Sequence, residues 1–236
     1  MRWGEVWTMA GYVVGALVLW WWAKKRGLDT EGMRLVALAG LGGGVIGARL
    51  TQWALGTPIS GLLSGQMLDP RNGGKSLVGG LVCGYVAVWL TKRKLGIHRS
   101  TGDGWALAIP AGEAVGRIGC FLNGCCEGTP WQGFWSVYQD GAWRHPAQLY
   151  SSVSALALFA FLLWLRPRLN REGDLFRTFI VLYGLSRFAI EFFRERPLVW
   201  RDLSLVQMTC LEIAVSTLVF WIVARTRQRV VTLSRS

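Results

Sequence analysis

Seven apolar runs, each long enough to cross a bilayer, dominate this chain and leave it few soluble alternatives. They cover roughly residues 6–23, 34–54, 76–91, 104–122, 148–165, 175–194 and 203–224. A helix rises about 1.5 Å per residue, so runs of this length match about 30 Å of hydrocarbon. Composition agrees, since 52% of the 236 residues are hydrophobic and 14 are Trp. The net charge of +12 would suit a nucleic-acid binder, but its distribution does not. Basic clusters follow every second run: "KKR" at 24–26, "KRK" at 92–94, "RPRLNR" at 166–171 and "RTRQR" at 225–229. Of the 26 Lys and Arg, sixteen fall on that side, seven on the other, and Arg49, Arg117 and Arg187 fall inside runs. The positive-inside rule places the N-terminus outside and the C-terminus in the cytoplasm. No nucleic-acid partner is expected. Trp20, Trp21 and Trp22 precede the first basic cluster, as interfacial aromatics do. The first run has its charges after it and no small-residue cleavage site, so it reads as a retained helix.

The expected fold is an all-α integral membrane protein, one seven-helix transmembrane domain over residues 1–236. Two outer loops, about 55–75 and 123–147, are the places where polar and aromatic residues gather. In the second run, "GLGGGVIG" spaces glycines four apart, a pattern that lets helices approach closely. His98 stands alone in a basic loop and is expected to be solvated.

The three arginines inside runs carry the chemistry. Arg49, Arg117 and Arg187 lie on runs two, four and six, all ascending from the same side. Each sits roughly 18–23 Å up its helix, so all three share one depth in the outer half of the membrane. An Arg facing lipid costs about 2.5–3.5 kcal/mol on the lenient scale. Three at one level therefore imply a polar cavity or a bound anion, or else ion pairs that hold helices together. Guanidinium forks suit phosphate, which they contact through two oxygens. Glu113 precedes Arg117 by four residues and Glu191 follows Arg187 by four, so each pair shares a helix face. Tyr183 lies one turn before Arg187. Glu212 in the last run is read as a further buried acid.

The stretch "GRIGCFLNGCCEG" (116–128) adds Cys120, Cys125 and Cys126 to the same region. Four readings stand for these cysteines: apolar filling, an oxidised pair, a nucleophile whose thiolate the arginines favour, or a soft-metal site completed by His145. Cys83 and Cys210 lie mid-run, where packing is the expected role.

"GRIGCFLNGCCEG" resembles the signature of the bacterial prolipoprotein diacylglyceryl transferase family, approximately G-R-x-x-N-F-x-N-x-E-x-x-G. "RHPAQLY" (144–150) is similar to that family's H-P-S-Q-L-Y, and "YGLSRFAIEFFRERP" (183–197) to its Y-G-x-x-R-x-x-x-E-F-F-R-x-P. "GVIGARL" (44–50) and "LSLVQ" (203–207) resemble its second-span and last-span motifs. The resemblance implies a multi-pass enzyme of the bacterial inner membrane, with its active site facing the periplasm. It implies transfer of a diacylglyceryl group from phosphatidylglycerol, an anionic phospholipid donor, to the thiol of a lipobox-type protein. Glycerol phosphate is the group that leaves.

By the same motifs, Arg117 and Arg187 would hold phosphate, with Glu191 and Tyr183 orienting Arg187 and the lipid, and His145 at the outer mouth. Arg49, Glu113, Asn123, Gly128 and Gln148 would complete the donor-binding side. No cofactor is expected and no metal is assigned. The resemblance has three gaps. The family's His-Gly-Gly-Leu reads "VGGL" here, with Val78 in the histidine's place, and two motif positions are Cys120 and Cys125. His145, Glu113 and Glu127 are substitute bases. Two alternatives follow: a paralogue that uses its own cysteine thiolate, and a non-catalytic lipid- or metal-binding membrane protein.

Overall fold

A computed structural model describes residues 3–28, 30–56, 77–195 and 200–233, with side chains over the same residues except 52–56, 77–78 and 227–233. Among the described residues seven long helices form: α1 Trp3–Lys25, α2 Glu31–Gly56, α3 Leu77–Lys94, α4 Gly102–Leu122, α5 Ala147–Leu165, α6 Asp174–Glu191 and α7 Leu205–Leu233. Five are long and apolar enough to cross a membrane. α3 and α6 are the exceptions: α3 ends in Lys92, Arg93 and Lys94, and Asp174, Arg177, Arg187 and Glu191 interrupt α6. The chain divides into two units, residues 1–23 with 100–236, and residues 24–99.

The smaller unit is built on α2 and α3. Gly47 lies where a Cβ would come 2.5 Å from the Gly79 carbonyl oxygen, so the glycine stripe brings two helix backbones together. Cys83 fills the same contact, as its mid-helix position suggested. Arg49 is half-buried on α2, and His98 is exposed. The loop expected at about 55–75 falls outside the described residues from 57 onward, and so does the side chain of Val78.

In the larger unit, α1 and α4 cross antiparallel on glycine. A Cβ at Gly11 would lie 2.7 Å from the Gly112 carbonyl oxygen, and one at Gly112 the same distance from that of Gly11. Neither position tolerates a side chain. α5 packs on α4 and α6, and α7 packs on α6. Cys210 is buried where α7 meets Gly184 of α6.

Side chains fasten the ends of α6. The buried Asp103 of α4 accepts hydrogen bonds from the Gly173 and Phe176 amides at 3.0 and 3.1 Å, capping the start of α6. Asp174, also buried, pairs with Arg177 at 2.8 Å and Arg225 at 2.7 Å. "LSLVQ" is the entry to α7. The Ser204 amide donates to Gln207 Oε1 at 3.0 Å, and the Gln207 amide donates to Ser204 Oγ at 3.2 Å, a capping box. Gln207 Nε2 also reaches the Phe188 carbonyl, which ties α7 to α6.

The stretch between α4 and α5 holds more order than a loop. A two-stranded antiparallel hairpin forms there, β1 Val137–Gln139 and β2 Ala142–Arg144. Its turn is Asp140-Gly141, with φ of 46° and 75°, the left-handed pair that a tight hairpin requires.

Candidate active site

The polar groups on α4 and α6 meet over α5. One turn of α4 carries Glu113 and Arg117, and their fixed spacing makes a direct pair. Arg117 Nε donates to Glu113 Oε1 at 3.0 Å, and a terminal nitrogen lies 2.9 Å from the same oxygen. Two turns of α6 carry Tyr183, Arg187 and Glu191, all buried. Arg187 pairs with Glu191 at 2.8 Å. Arg117 and Arg187 are both within electrostatic reach of the Tyr183 hydroxyl.

Between these helices lies a cavity of about 10 Å³, lined by Glu113, Ser151, Ser154, Tyr183, Ser186 and Arg187. That volume admits about one water-sized group. Three lining atoms are buried with no partner at full hydrogen-bonding geometry: Glu113 Oε2, the Tyr183 hydroxyl, which lies close enough to Glu113 to interact with it, and Arg187 Nη1. Buried polar atoms are nearly always satisfied, so three such atoms around one cavity mark a place built for a polar guest.

Arg194, the arginine of the family-like E-F-F-R, joins the cluster. It reaches Glu191 Oε2 at 3.4 Å and lies within electrostatic range of Arg187, Arg117 and Cys126. The sequence reading counted it among the outer-loop charges. Arg49 belongs to the other unit. Glu212, expected to be a buried acid, is exposed on α7, because helical register alone left its face undetermined.

Next to the arginines, Cys120, Cys125 and Cys126 place their three sulfur atoms within 4.8 Å of one another. The chain turns back after α4 through Gly124 and Cys126, at φ of 61° and 62°, so that the Cys125 amide donates to the Cys120 carbonyl at 3.1 Å. Hydrogen bonds from the Cys120 and Cys125 thiols, helped by Arg194 and Arg117, hold Cys126 far below the usual thiol range. Hydrogen bonds with Cys120 and Cys126 push the Cys125 thiol up. His145 is not part of this group. Its ring stacks on Trp131 at 4.3 Å, and Nδ1 lies 3.0 Å from the Tyr150 hydroxyl. That hydroxyl also accepts from Trp135 Nε1 at 2.7 Å. Burial lowers the pKa of His145, keeping it neutral at pH 7.

The remaining candidates act through the backbone. Gly128 is buried where a Cβ would overlap the His145 carbonyl, and it pairs with Arg194 in an isolated bridge. Gln148 is buried and donates to the Cys125 carbonyl at 2.9 Å and to Gln139 Oε1 at 3.2 Å. Asn123 ends α4 and is exposed, against Gly4 of α1. Sequence reading missed Arg144, whose buried guanidinium reaches Glu195 at 2.6 Å, the Gly128 carbonyl at 3.2 Å and Glu127 at 3.4 Å. Only its place before the family-like H-P could have drawn notice.

A family profile described as prolipoprotein diacylglyceryl transferase matches residues 1–223. The phosphatidylglycerol–prolipoprotein diacylglyceryl transferase of Clostridioides difficile (strain 630) is 30% identical over 212 residues, covering 89% of this chain and 86% of that protein. The enzyme of the same name from Oleidesulfovibrio alaskensis is 33% identical over 215 residues, covering 81% and 76%. A third, from Nitratidesulfovibrio vulgaris (strain DSM 19637 / Miyazaki F), is 42% identical over 129 residues, covering 52% and 49%.

Proposed function

Because this chain belongs to the prolipoprotein diacylglyceryl transferase family, we propose that it moves a diacylglyceryl group from phosphatidylglycerol to the cysteine thiol of a lipobox-type protein. The observation that carries the reading is the convergence of Tyr183, Arg187 and Glu113, each with a buried polar atom short of full hydrogen bonding, on one cavity beside Arg117. That cavity admits one oxygen, not a head group. The described residues thus anchor one phosphate oxygen rather than enclose the donor.

In this reading Arg117, Arg187 and Arg194 face the phosphate. The acceptor sulfur forms a bond to the terminal glycerol carbon of the diacylglyceryl group. The C–O bond to phosphate breaks, and its electron pair leaves on glycerol phosphate. Guanidinium groups held in place by Glu113 and Glu191 stabilise the charge that grows on the departing oxygen. Arg49 enters the donor site on its sequence motif and depth alone. The seven helices are read as seven spans of one domain over residues 1–236, N-terminus outside and C-terminus cytoplasmic. The cluster then faces the periplasmic leaflet of the inner membrane.

The test uses the full chain in phosphatidylglycerol proteoliposomes with a lipobox peptide. A thioether-linked diacylglyceryl peptide and free glycerol phosphate are expected in equal amounts, and Arg187→Ala should abolish both. Binding of phosphatidylglycerol without turnover would replace this reading with a non-catalytic lipid-binding one. Full turnover by Arg187→Ala would overturn the phosphate assignment.

A further inference from the structure

The three clustered cysteines sit at the edge of the arginine site and are not absorbed by phosphate binding. Their arrangement is specific. Cys120 is on the last turn of α4 and half-buried, while Cys125 and Cys126 are exposed. Cys126 holds a left-handed conformation, φ 62°, that L residues rarely adopt. Gln148, itself fully buried, grips the Cys125 carbonyl from α5. Two helices therefore hold this turn folded over Cys120.

Three sulfurs within 4.8 Å of one another match the edge of a zinc–thiolate tetrahedron, about 3.8 Å for Zn–S bonds of about 2.3 Å, after small side-chain rotations. Cys120 on α4 is half-buried and Cys125 and Cys126 are exposed, so the cluster is open to solvent on the side away from α4. Three protein ligands with one open position is the pattern of a zinc site that takes a substrate, not of a closed structural one. Charge fits as well. Three thiolates on Zn²⁺ carry a net −1, and a fourth makes it −2. Arg117 and Arg194, both within electrostatic reach of Cys126, offset that charge.

Diacylglyceryl transfer to sulfur needs a thiolate, and a free thiol with a pKa near 8.5 is only a few per cent ionised at pH 7. The carboxylates around the site are already engaged by guanidinium groups: Glu113 by Arg117, Glu191 by Arg187, Glu127 by Arg144. A thiol that coordinates zinc gives up its proton outright. We propose that Cys120, Cys125 and Cys126 bind one Zn²⁺ as thiolates, and that its open fourth position takes the acceptor's cysteine sulfur. This rests on the transferase reading above. The acceptor thiol loses its proton to water on coordination. Its sulfur then forms the new C–S bond as the C–O bond to phosphate breaks, and the neutral thioether leaves the metal. The substitution is redox-neutral: the sulfur lone pair makes the C–S bond and the C–O pair leaves on the phosphate oxygen.

Cobalt(II) is the probe, because its thiolate charge-transfer and tetrahedral d–d bands report sulfur ligation directly. The full chain, reduced and metal-depleted in phosphatidylglycerol nanodiscs, is titrated with Co²⁺. One equivalent should bind, give both bands, and be displaced by Zn²⁺. Lipobox peptide should shift the d–d bands, and its Cys→Ser form should not. Cys126→Ser should weaken the charge-transfer band. Absence of that band in the reduced wild type, or its persistence in Cys120→Ser/Cys125→Ser/Cys126→Ser, overturns the site. A peptide-insensitive spectrum, or unchanged lipidation after metal removal, overturns its role in taking the acceptor. If the bands form and respond to peptide while no lipidated peptide appears, the metal site stands and the transferase reading falls.

Discussion

Arg187 and Arg194 converge on one carboxylate oxygen, Glu191 Oε2, at 2.8 and 3.4 Å. Glu113 holds Arg117 in the same way across the cavity wall. Three guanidinium groups thus face two carboxylates, and the Cys126 sulfur is the further acidic group within reach of Arg117 and Arg194. Buried guanidinium groups are costly unless anionic groups pair with them. The ion pairs and the proposed phosphate site therefore share their groups: the carboxylates hold the guanidiniums in place, and Arg187 Nη1 keeps a donor for an anionic oxygen.

Removing the shared carboxylate should unbalance both functions. Glu191→Gln keeps the shape but leaves two buried guanidiniums facing a neutral amide. Losing one partner of a buried ion pair costs roughly 3–5 kcal/mol. We expect a clear fall in thermal stability of the detergent-solubilised protein, partly restored by added phosphatidylglycerol, whose phosphate supplies the missing negative charge. A variant as stable as the parent would show that the pairs are not buried in the membrane-embedded protein.

Tyr183→Phe separates binding from folding. The Tyr183 hydroxyl is buried with no partner at full hydrogen-bonding geometry, so its removal relieves desolvation and should leave the melting temperature unchanged or raised. If the hydroxyl donates to the donor's phosphate, the loss of a hydrogen bond to a charged group costs about 1.5–3 kcal/mol. That corresponds to roughly a 10- to 150-fold drop in kcat/KM for phosphatidylglycerol. A stable variant with full activity would remove Tyr183 from the site.

The helices were readable because a membrane demands long apolar runs, and the i,i+4 pairs were readable because one helix fixes their geometry. Arg117–Glu113 and Arg187–Glu191 needed no knowledge of other segments. What depends on contacts between segments was not readable. Arg194 follows the end of α6, and only the fold turns it back toward Arg187. Arg144 has partners that lie up to 51 residues away in sequence. The Asp140-Gly141 hairpin carried its signal, but strands of three residues give too little alternation to stand out.

Thiol reactivity should split by position in the metal-free protein. Cys126 is held in the thiolate form well below the usual thiol range, and Cys125 is held protonated well above it. Thiolate is the reactive species, so a lowered pKa keeps alkylation fast as pH falls, and a raised pKa keeps it slow as pH rises. Iodoacetamide labelling at pH 6, followed by peptide mass spectrometry, should mark Cys126 ahead of Cys125. Equal labelling of the two would show that their thiols do not hydrogen-bond to each other in solution.

The outer segment between α4 and α5 should depend on Arg144 more than on any of its acidic partners. Glu195 gives the shortest contact, 2.6 Å, but its side chain is 66% exposed, so water replaces much of what that pair contributes. The guanidinium itself is 10% exposed and also satisfies the Gly128 and Gln139 carbonyls, which lie on the two arms of the loop. Arg144→Met keeps the aliphatic stem and removes every one of these bonds, leaving two backbone carbonyls and Glu127 without their donor. Glu195→Gln removes only the exposed partner. Limited proteolysis should therefore open the region around residues 123–147 readily in Arg144→Met and scarcely more than in the parent in Glu195→Gln. The same loop carries Cys125 and Cys126 next to Arg117, so in Arg144→Met the loss of order should bring a parallel loss of turnover. Equal resistance in the two variants would mean that the hairpin and the Gln148 contacts hold the loop unaided.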